Sequence, residues 1–243
     1  MKSRKYSLVV GYAVLSLFSN ACNEAKKELN KAPESPNSAI ALFDGVSFKN
    51  WEGDTSYWRI EDSSIRGEVT PAHPLKENSF LVYSGKVPEN FELQLEYKIS
   101  NEGNSGVQYR SEPVAGIPNA LKGYQADIDG ANVYTGQNYE ERGRGFLAMR
   151  GQSVEMLTGQ PPRQLDSLGS SSELQTYIKQ AAWNQLVIRA EKNHLVHFIN
   201  GNKMSEVFDK DSLLARNNGL IGLQLHVAPQ MWVMFRNIQL KPL

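Results

Sequence analysis

The sequence contains a single cysteine, Cys22, among its 243 residues. One cysteine can form neither an internal disulfide nor a zinc site built from several cysteines. Basic and acidic side chains balance at 26 each, so the chain lacks the basic excess that nucleic-acid binding requires. It also contains neither a G-x-G-x-x-G fingerprint nor a P-loop. We therefore predict no nucleic-acid partner and no bound nucleotide cofactor.

The most apolar segment lies at the N-terminus and is too short to cross a bilayer. Tyr6–Phe18 is a 13-residue, mostly apolar run, whereas a spanning helix needs about 20 residues. Basic residues precede it, and Ala21 and Cys22 follow it, an order typical of a secretory signal peptide. The cysteine at this point resembles a bacterial lipobox. We predict a lipoprotein signal peptide over residues 1–21 with lipidation of Cys22, the alternative being an ordinary signal peptide with an incidental cysteine.

The segment after Cys22 predicts a cell-envelope location. Residues 22–39 are polar and contain Pro33 and Pro36, which is typical of a flexible tether. Acyl chains on Cys22 would anchor the chain in a membrane. We expect a periplasmic-side or outer-membrane lipoprotein, with one folded domain over residues 40–243.

Alternation with a period of two predicts that the folded domain is β-structure. Apolar and polar side chains alternate at nine consecutive positions in Phe91–Ile99, as in a half-buried strand. The pair Asn200-Gly201 separates two further apolar segments and favours a type I′ hairpin. Helical periodicity is weak, and one short helix is predicted over Glu173–Ile178. Many short strands with turn signals between them predict an all-β fold, a two-sheet sandwich or jelly roll.

Three predicted strands share a polar face of unusual composition. They cover residues 106–110, 124–128 and 221–226. Their polar positions hold Gln108, Arg110, Gln125, Asp127, Gln224 and His226. Amides and planar charged groups suit hydroxyl recognition, because each donates or accepts hydrogen bonds in a fixed plane. If the strands share one sheet, this face predicts a polyol or sugar site; the alternative is an ordinary solvated sheet face.

An ordered series of short motifs runs from residue 41 to the end of the sequence. In chain order the motifs are Ala41-Leu-Phe-Asp-Gly45, Trp51, Trp58-Arg-Ile-Glu-Asp62, Ile65-Arg-Gly67, Phe91-Glu-Leu-Gln-Leu-Glu-Tyr-Lys98, Asn104-Ser-Gly-Val-Gln-Tyr-Arg110, Gly123-Tyr-Gln-Ala-Asp127, Tyr134-Thr-Gly136, Tyr139-Glu-Glu-Arg142, Trp183-Asn184, Ile199-Asn-Gly201, Gly222-Leu-Gln-Leu-His226 and Phe235-Arg-Asn-Ile238. In this order they resemble the 3-keto-disaccharide hydrolase family. Many members of that family have Glu where this chain has Gly123.

The resemblance implies a concanavalin-like jelly roll with a site on the concave face of one sheet. It also implies cleavage of 3-keto-glycosides and 3-keto-disaccharides, sugars oxidised at C3 by a separate nicotinamide- or flavin-dependent sugar oxidoreductase. If the Glu found in many members were the general base, this chain would lack it at Gly123.

The chemistry of such a substrate can be reasoned independently. A ketone at C3 acidifies the C2 hydrogen, so a base can remove it and the C1 substituent can leave by β-elimination, with or without later hydration. The site needs a base near C2, donors at the C3 oxygen and an acid at the leaving oxygen. One alternative is a conventional carbohydrate hydrolase, which needs two carboxylates about 5–10 Å apart. Another is a non-catalytic carbohydrate-binding module on a lectin- or glucanase-like fold.

Four residues are candidates for catalysis. His226 is the leading base, because imidazole titrates near neutral pH. Asp127 is the leading carboxylate, as a base, an orienting group or a hydroxyl ligand. Tyr134 and Glu141 lie in the glycine-rich segment 129–145 and are further acid or base candidates. For each of the four, a purely structural role is the alternative.

The substrate-binding candidates are amides, arginines and one tryptophan. They are Arg110, Gln108, Gln125, Gln224, Arg142, Arg144 and Trp58. We expect Arg110 to lie near the C3 oxygen or beside Asp127, and Trp58 either to stack on a sugar ring or to lie in the core. No cofactor is predicted, and a divalent metal held by His226 and Asp127 stays an open alternative.

Overall fold

Two β-sheets pack against each other in the computed structural model, which describes residues 38–243. The predicted signal peptide, Cys22 and residues 22–37 of the predicted tether lie outside the described residues. Within the described part of the chain, no helix has the length and apolar character needed to span a membrane.

The described residues form seventeen strands and one short helix. In chain order these are β1 (Ile40–Ala41), β2 (Trp51–Glu52), β3 (Trp58–Glu61), β4 (Ser64–Val69), β5 (Ser79–Tyr83), β6 (Phe91–Ile99), β7 (Asn104–Pro113), β8 (Leu121–Asp129), β9 (Asn138–Glu141), β10 (Gly145–Ala148), β11 (Gln152–Leu157), β12 (Arg163–Ser167), α1 (Ser171–Gln175), β13 (Asn184–Glu191), β14 (His194–Ile199), β15 (Asn202–Lys210), β16 (Leu220–Leu225) and β17 (Met231–Pro242). The predicted all-β class is therefore confirmed.

The strands divide into a larger and a smaller sheet over residues 38–243. The larger, ten-stranded sheet has the order β12-β11-β15-β14-β13-β6-β17-β4-β3, with β1 paired to β17. The smaller, seven-stranded sheet has the order β10-β9-β8-β7-β16-β5-β2. Neighbouring strands are antiparallel except for β11 and β15, which pair in parallel.

Sequence alternation sets which side chains face the core. In β6 the five apolar side chains are buried and the four polar ones are half-buried, as predicted. The hairpin between β14 and β15 turns at Asn200 and Gly201, which have φ values of 48° and 80°, the positive values that a type I′ turn needs. Helix α1 begins after Ser170, whose side chain accepts from the Glu173 backbone N–H, but it ends at Gln175 rather than at the predicted Ile178.

The inner faces of the two sheets meet in an aromatic core. Tyr109 of β7 lies edge-on to Phe91 of β6, with ring centroids 6.4 Å apart. The Tyr109 hydroxyl is 2.9 Å from Nε2 of His197 in β14. Burial lowers the pKa of His197 to about 4, so the ring is neutral inside the core. These contacts fix the inner side of β7, and with it the direction of the polar side chains on its outer side.

Strands β8, β7 and β16 are neighbours in the smaller sheet, so the three predicted polar faces form one continuous surface. Their apolar side chains, such as Tyr124 and Leu223, belong to the core between the sheets. Gln125 and Gln224 point the other way. This outward face of the smaller sheet carries the candidate site.

Candidate active site

A pocket of about 320 Å³ opens on the outward face of the smaller sheet. Its lining comes from strands β7, β8, β9, β10 and β16, from the segments flanking them and from the residue before β5. The lining residues are Asn78, Asn104, Gln125, Asp127, Tyr134, Tyr139, Glu141, Phe146, Gln224 and His226. Four predicted catalytic candidates, His226, Asp127, Tyr134 and Glu141, are thus brought to one pocket.

A ladder of glutamine amides forms the floor of this pocket. Nε2 of Gln108 donates to Oε1 of Gln125 at 3.3 Å, and Nε2 of Gln125 donates to Oε1 of Gln224 at 3.4 Å. The Gln125 side chain crosses β7 at Gly106, where a Cβ atom would lie 2.5 Å from Cδ of Gln125. Glycine at position 106 therefore allows amides from β8 and β16 to meet.

The last amide of the ladder has an unused donor. Gln224 is 1% exposed, and its Nε2 has no hydrogen-bond partner among residues 38–243. A buried donor without a partner costs about 1–3 kcal/mol. Gln224 lines the pocket, and this N–H group lies just beneath the pocket surface.

Asp127 is a buried carboxyl beside the ladder. Burial raises its pKa to about 8, and the negative charges of Asp129 and Glu141 act in the same direction. A hydrogen bond of 2.9 Å from Gln125 Nε2 to Oδ1 opposes this rise. Asp127 is therefore mainly protonated at neutral pH. Because Gln125 donates to Oδ1, the proton belongs on Oδ2, and Asp127 can act as an acid.

His226 directly follows β16 and is half-buried at the pocket wall. Its Nδ1 lies 2.8 Å from the Val227 carbonyl oxygen. A carbonyl oxygen only accepts, so we assign the proton of the neutral ring to Nδ1, which leaves the lone pair on Nε2. His226 therefore has the tautomer of a general base.

Asn78, just before β5, joins two walls of the pocket. Its Oδ1 accepts from the Val227 backbone N–H at 3.0 Å, next to His226. Its Nδ2 donates to Oε1 of Glu141 at 3.4 Å. Glu141 lies on β9, and three strands separate β9 from β5 in the sheet order. Asn78 therefore connects opposite sides of the pocket.

Three aromatic rings form the wall at the β9–β10 edge. Tyr134 and Phe146 are nearly parallel, with ring centroids 6.0 Å apart and an angle of 15°. Tyr139 lies edge-on to Phe146 at 5.0 Å. Asp129 holds the loop of Tyr134, because its carboxylate accepts from the backbone N–H groups of residues 133–135 at 2.8–2.9 Å. Asp129 is thus a structural residue of this wall.

Residues 38–241 match the family described as a 3-keto-alpha-glucoside-1,2-lyase-like domain. The chain belongs to this family. A 3-keto-disaccharide hydrolase of Bacteroides thetaiotaomicron is 30% identical over 104 residues, which make up 40% of this chain and 36% of that relative. The chain thus covers little more than a third of the length of this curated relative.

Solved structures of low sequence identity share the fold. A Bacillus subtilis protein with a galectin-like fold is 14% identical, with a TM-score of 0.56 over 84% of this chain and 94% of its own. The Bacillus licheniformis β-glucanase is 8% identical, with a TM-score of 0.52 over 86% of this chain and 99% of its own. These likenesses confirm the predicted jelly-roll class.

The family's frequent Glu is replaced here by Gly123, and the structure shows why no side chain fits. A Cβ atom at this position would lie 2.3 Å from Oγ of Ser111. In the register of the sheet, Gly123 lies directly beside Glu141 of β9. Glu141 therefore carries a carboxylate on the strand position next to Gly123.

Arg110 does not reach the pocket, contrary to expectation. The register of β7 shifts after Tyr109, and Arg110 has a φ of 48°, so strict alternation ends there. Its guanidinium is 1% exposed overall and donates to the backbone carbonyls of Glu89, Lys192 and Arg216 at 2.6–3.1 Å. The pocket therefore brings together the predicted imidazole and acid but not the predicted guanidinium.

The other two arginine candidates also bind protein groups. Arg144 donates to Glu140 at 2.5 Å and to Asp209 at 2.6 Å, which fixes the turn between β9 and β10. Arg142 lies 3.4 Å from Glu77 across the surface. Because neither guanidinium lines the pocket, the structure gives neither arginine a direct place at a bound sugar.

Trp58 and Gln108 lie behind the site rather than in it. Trp58 is 1% exposed and packs against Gly67, where a Cβ atom would lie 2.6 Å from its ring. Its core alternative is therefore the correct one. Gln108 is fully buried and supports Gln125 without lining the pocket.

Four lining residues were missed by sequence reasoning: Asn78, Asn104, Tyr139 and Phe146. Asn104 opens the motif that ends at Arg110, so the resemblance itself contained its signal. Phe146 had no separate signal, because sequence alone does not distinguish an apolar side chain that lines a pocket from one in the core. Among residues 38–243, no group of three or more His, Cys, Asp or Glu side chains has metal-binding geometry.

Proposed function

We propose that the protein cleaves the glycosidic bond of 3-keto-glycosides, including 3-keto-disaccharides, by proton removal from C2 and β-elimination at C1. One observation carries this proposal. A single pocket is lined both by His226, whose Nδ1 lies beside the Val227 carbonyl oxygen, and by Asp127, whose pKa burial raises to about 8. Membership of the lyase-like family and the name of the Bacteroides relative support a keto-sugar substrate.

The first half of the reaction uses two residues at one end of the same strand. Nε2 of His226 accepts the C2 proton, and the electron pair moves onto the C3 oxygen to form an enolate. The proposed donor to that oxygen is the unpartnered Nε2 of Gln224, two residues earlier, which a rotation of the side chain would bring to the pocket surface. General-base catalysis contributes about 10²–10⁴ in rate, and one donor to a developing oxyanion about 10²–10³.

The second half uses Asp127 on β8. The enolate collapses to a C1=C2 double bond, the C1–O bond breaks, and the leaving oxygen takes the proton of Asp127. The enzyme then holds an imidazolium and a carboxylate, and solvent returns both to their starting states. Addition of water across the C1=C2 bond converts the elimination product into the free 3-keto-sugar, so the net reaction becomes hydrolysis.

A second candidate function is conventional glycoside hydrolysis, because two carboxyl groups, Asp127 and Glu141, line the pocket. The two mechanisms differ at C2. Elimination breaks the C2–H bond, whereas a conventional hydrolase leaves that bond intact and passes through an oxocarbenium-like transition state.

The deciding experiment compares a 3-keto-disaccharide, the same compound with deuterium at C2, and the unoxidised parent. We expect cleavage of the keto-sugar only, a slower reaction of the deuterated substrate, and loss of its deuterium to solvent. Equal cleavage of the parent with C2 deuterium retained would instead establish the conventional hydrolase. Binding of the sugars without turnover would establish a non-catalytic carbohydrate-binding module.

The proposed reaction also needs partners and a location. A separate nicotinamide- or flavin-dependent sugar oxidoreductase has to produce the C3 ketone before cleavage. Lipidation of Cys22 would hold the enzyme at an envelope membrane, on the periplasmic side or at the outer membrane. Mass spectrometry of the protein extracted from its native membrane tests this, because acylated Cys22 would be the first residue of the mature chain.

A further inference from the structure

The aromatic wall at the β9–β10 edge, formed by Tyr134, Tyr139 and Phe146, has no role in the steps described so far. Tyr134 is 40% exposed and Phe146 is 42% exposed, although both rings line the pocket. Their planes are nearly parallel, with centroids 6.0 Å apart, so the two rings form one aromatic surface that keeps exposed area in the pocket wall. Exposed aromatic rings beside a polar pocket gain most when a flat apolar surface covers them.

The loop that carries Tyr134 is held in place from two sides. Asp129 accepts hydrogen bonds from its backbone, as described above. Arg150, which is 5% exposed, donates from Nη1 to the carbonyl oxygens of Asn132 at 3.0 Å and Thr135 at 2.8 Å. The ring of Tyr134 is therefore positioned before a ligand arrives, which lowers the entropic cost of binding.

The strand order places the aromatic wall next to Asp127 and on the side away from His226. Across the sheet the sequence is β16 with His226 and Gln224, then β7, β8 with Asp127, β9 with Tyr139, and β10 with Phe146. If His226 acts at C2 and Asp127 protonates the leaving oxygen, the leaving group extends from C1 toward β9 and β10. Neighbouring strands are about 4.8 Å apart, so β10 lies about 10 Å from β8, which is room for one six-membered ring.

We propose that Tyr134, Tyr139 and Phe146 form the leaving-group subsite and select leaving groups with a flat apolar face, such as an aryl group or the apolar face of a second sugar ring. This inference rests on the proposed function, because it takes its direction from the roles of His226 and Asp127.

The test measures kcat/KM of the full-length protein on the 3-keto derivatives of phenyl and methyl glucoside. The phenyl-to-methyl ratio is compared between wild type and variants, so that the intrinsic difference between the leaving groups cancels. We expect Phe146→Ala and Tyr134→Ala each to lower this ratio about tenfold, with a much smaller change on the methyl substrate. An unchanged ratio, or an equal loss on both substrates, overturns the subsite.

Two further variants keep the result interpretable. Tyr177→Ala removes a tyrosine that is 42% exposed and does not line the pocket, and we expect it to leave the ratio unchanged. If Phe146→Ala fails to fold, Phe146→Leu retains apolar volume but removes the aromatic face, and we expect it to lower the ratio as well.

Failure of the proposed function gives a different result from failure of the subsite. If wild type cleaves neither keto-glycoside, the proposed function fails. Calorimetry then measures the affinity for phenyl glucoside and for methyl glucoside, and so tests the wall as a binding surface. Weaker phenyl glucoside binding in Phe146→Ala, with methyl glucoside unaffected, supports stacking at the wall. Equal binding by wild type and variant, or no binding of either compound, overturns it.

Discussion

The side-chain amide of Gln125 donates to Oδ1 of Asp127 at 2.9 Å, two residues along the same strand face. This contact determines which oxygen of Asp127 accepts and which carries the proton. It also opposes the rise in pKa that burial causes, so the carboxyl titrates near pH 8 rather than higher. The neutral Gln125 side chain therefore lowers the pKa of the carboxyl that serves as the acid in the proposed elimination.

The buried Asp127 carboxyl makes the fold less stable at high pH. Its pKa rises from 3.8 to about 8 on folding, so the native state binds a proton more tightly than the unfolded state does. The stability from this group is complete below about pH 4 and is lost as the pH rises through 8. At pH 9 we expect the free energy of unfolding of Asp127→Asn, measured in urea, to exceed that of wild type by about 3–6 kcal/mol. At pH 4 we expect little difference between the two proteins. Parallel stability curves would contradict the assigned burial.

The same group predicts the pH dependence of catalysis. Activity requires protonated Asp127 as the acid, so kcat/KM is expected to fall as the pH rises through about 8. In Asp127→Asn we expect kcat/KM to be about 10²–10⁴-fold lower and to show no decrease near pH 8. Glu141→Gln is the control, since it removes the other pocket carboxyl and should keep the alkaline fall, moved to lower pH because the charge of Glu141 raises the pKa of Asp127. Persistence of that fall in Asp127→Asn would assign it to another group.

Replacing His226 tests whether this histidine is the general base. We expect His226→Ala to lower kcat about 10²–10⁴ and to abolish exchange of the C2 hydrogen with solvent. Added imidazole should restore part of both rates. His73→Ala serves as the control, because His73 is exposed, stacks on Tyr57 and does not line the pocket. Retained exchange in His226→Ala would dismiss this histidine as the base.

Regular alternation made much of the floor of the site predictable from sequence. Gln125, Asp127 and Gln224 occupy outward positions of strands whose apolar residues face the core, so a period of two was sufficient to place them. The alternation does not extend to Arg110, because a bulge in β7 turns its side chain toward backbone carbonyls. A bulge adds a residue without a clear sequence signal.

The walls of the site depend on contacts between distant parts of the chain. Asn78 bonds to Glu141, 63 positions later, and to Val227, 149 positions later. No local pattern around Asn78 indicates either partner, because both contacts depend on the tertiary fold. Phe146 was likewise indistinguishable from a core residue until β10 was known to be the edge strand.

The crossing of β7 by Gln125 gives the sharpest test of the amide ladder. In Gly106→Ala, the new Cβ would lie 2.5 Å from Cδ of Gln125 and displace the amide from both Gln224 and Asp127. The hydrogen bond from Gln125 lowers the pKa of Asp127, so its loss should move the alkaline fall in activity to higher pH. Overpacking should also destabilise the fold by about 1–3 kcal/mol.

Gly222→Ala is the matched control for this steric effect. Its Cβ would also lie 2.5 Å from a side chain of the same sheet, but that side chain is Leu121, outside the ladder. We expect both variants to lose stability in urea and only Gly106→Ala to shift the alkaline fall. A shift of equal size in Gly222→Ala would mean that general loosening of the sheet, rather than the Gln125 amide, sets the pKa of Asp127.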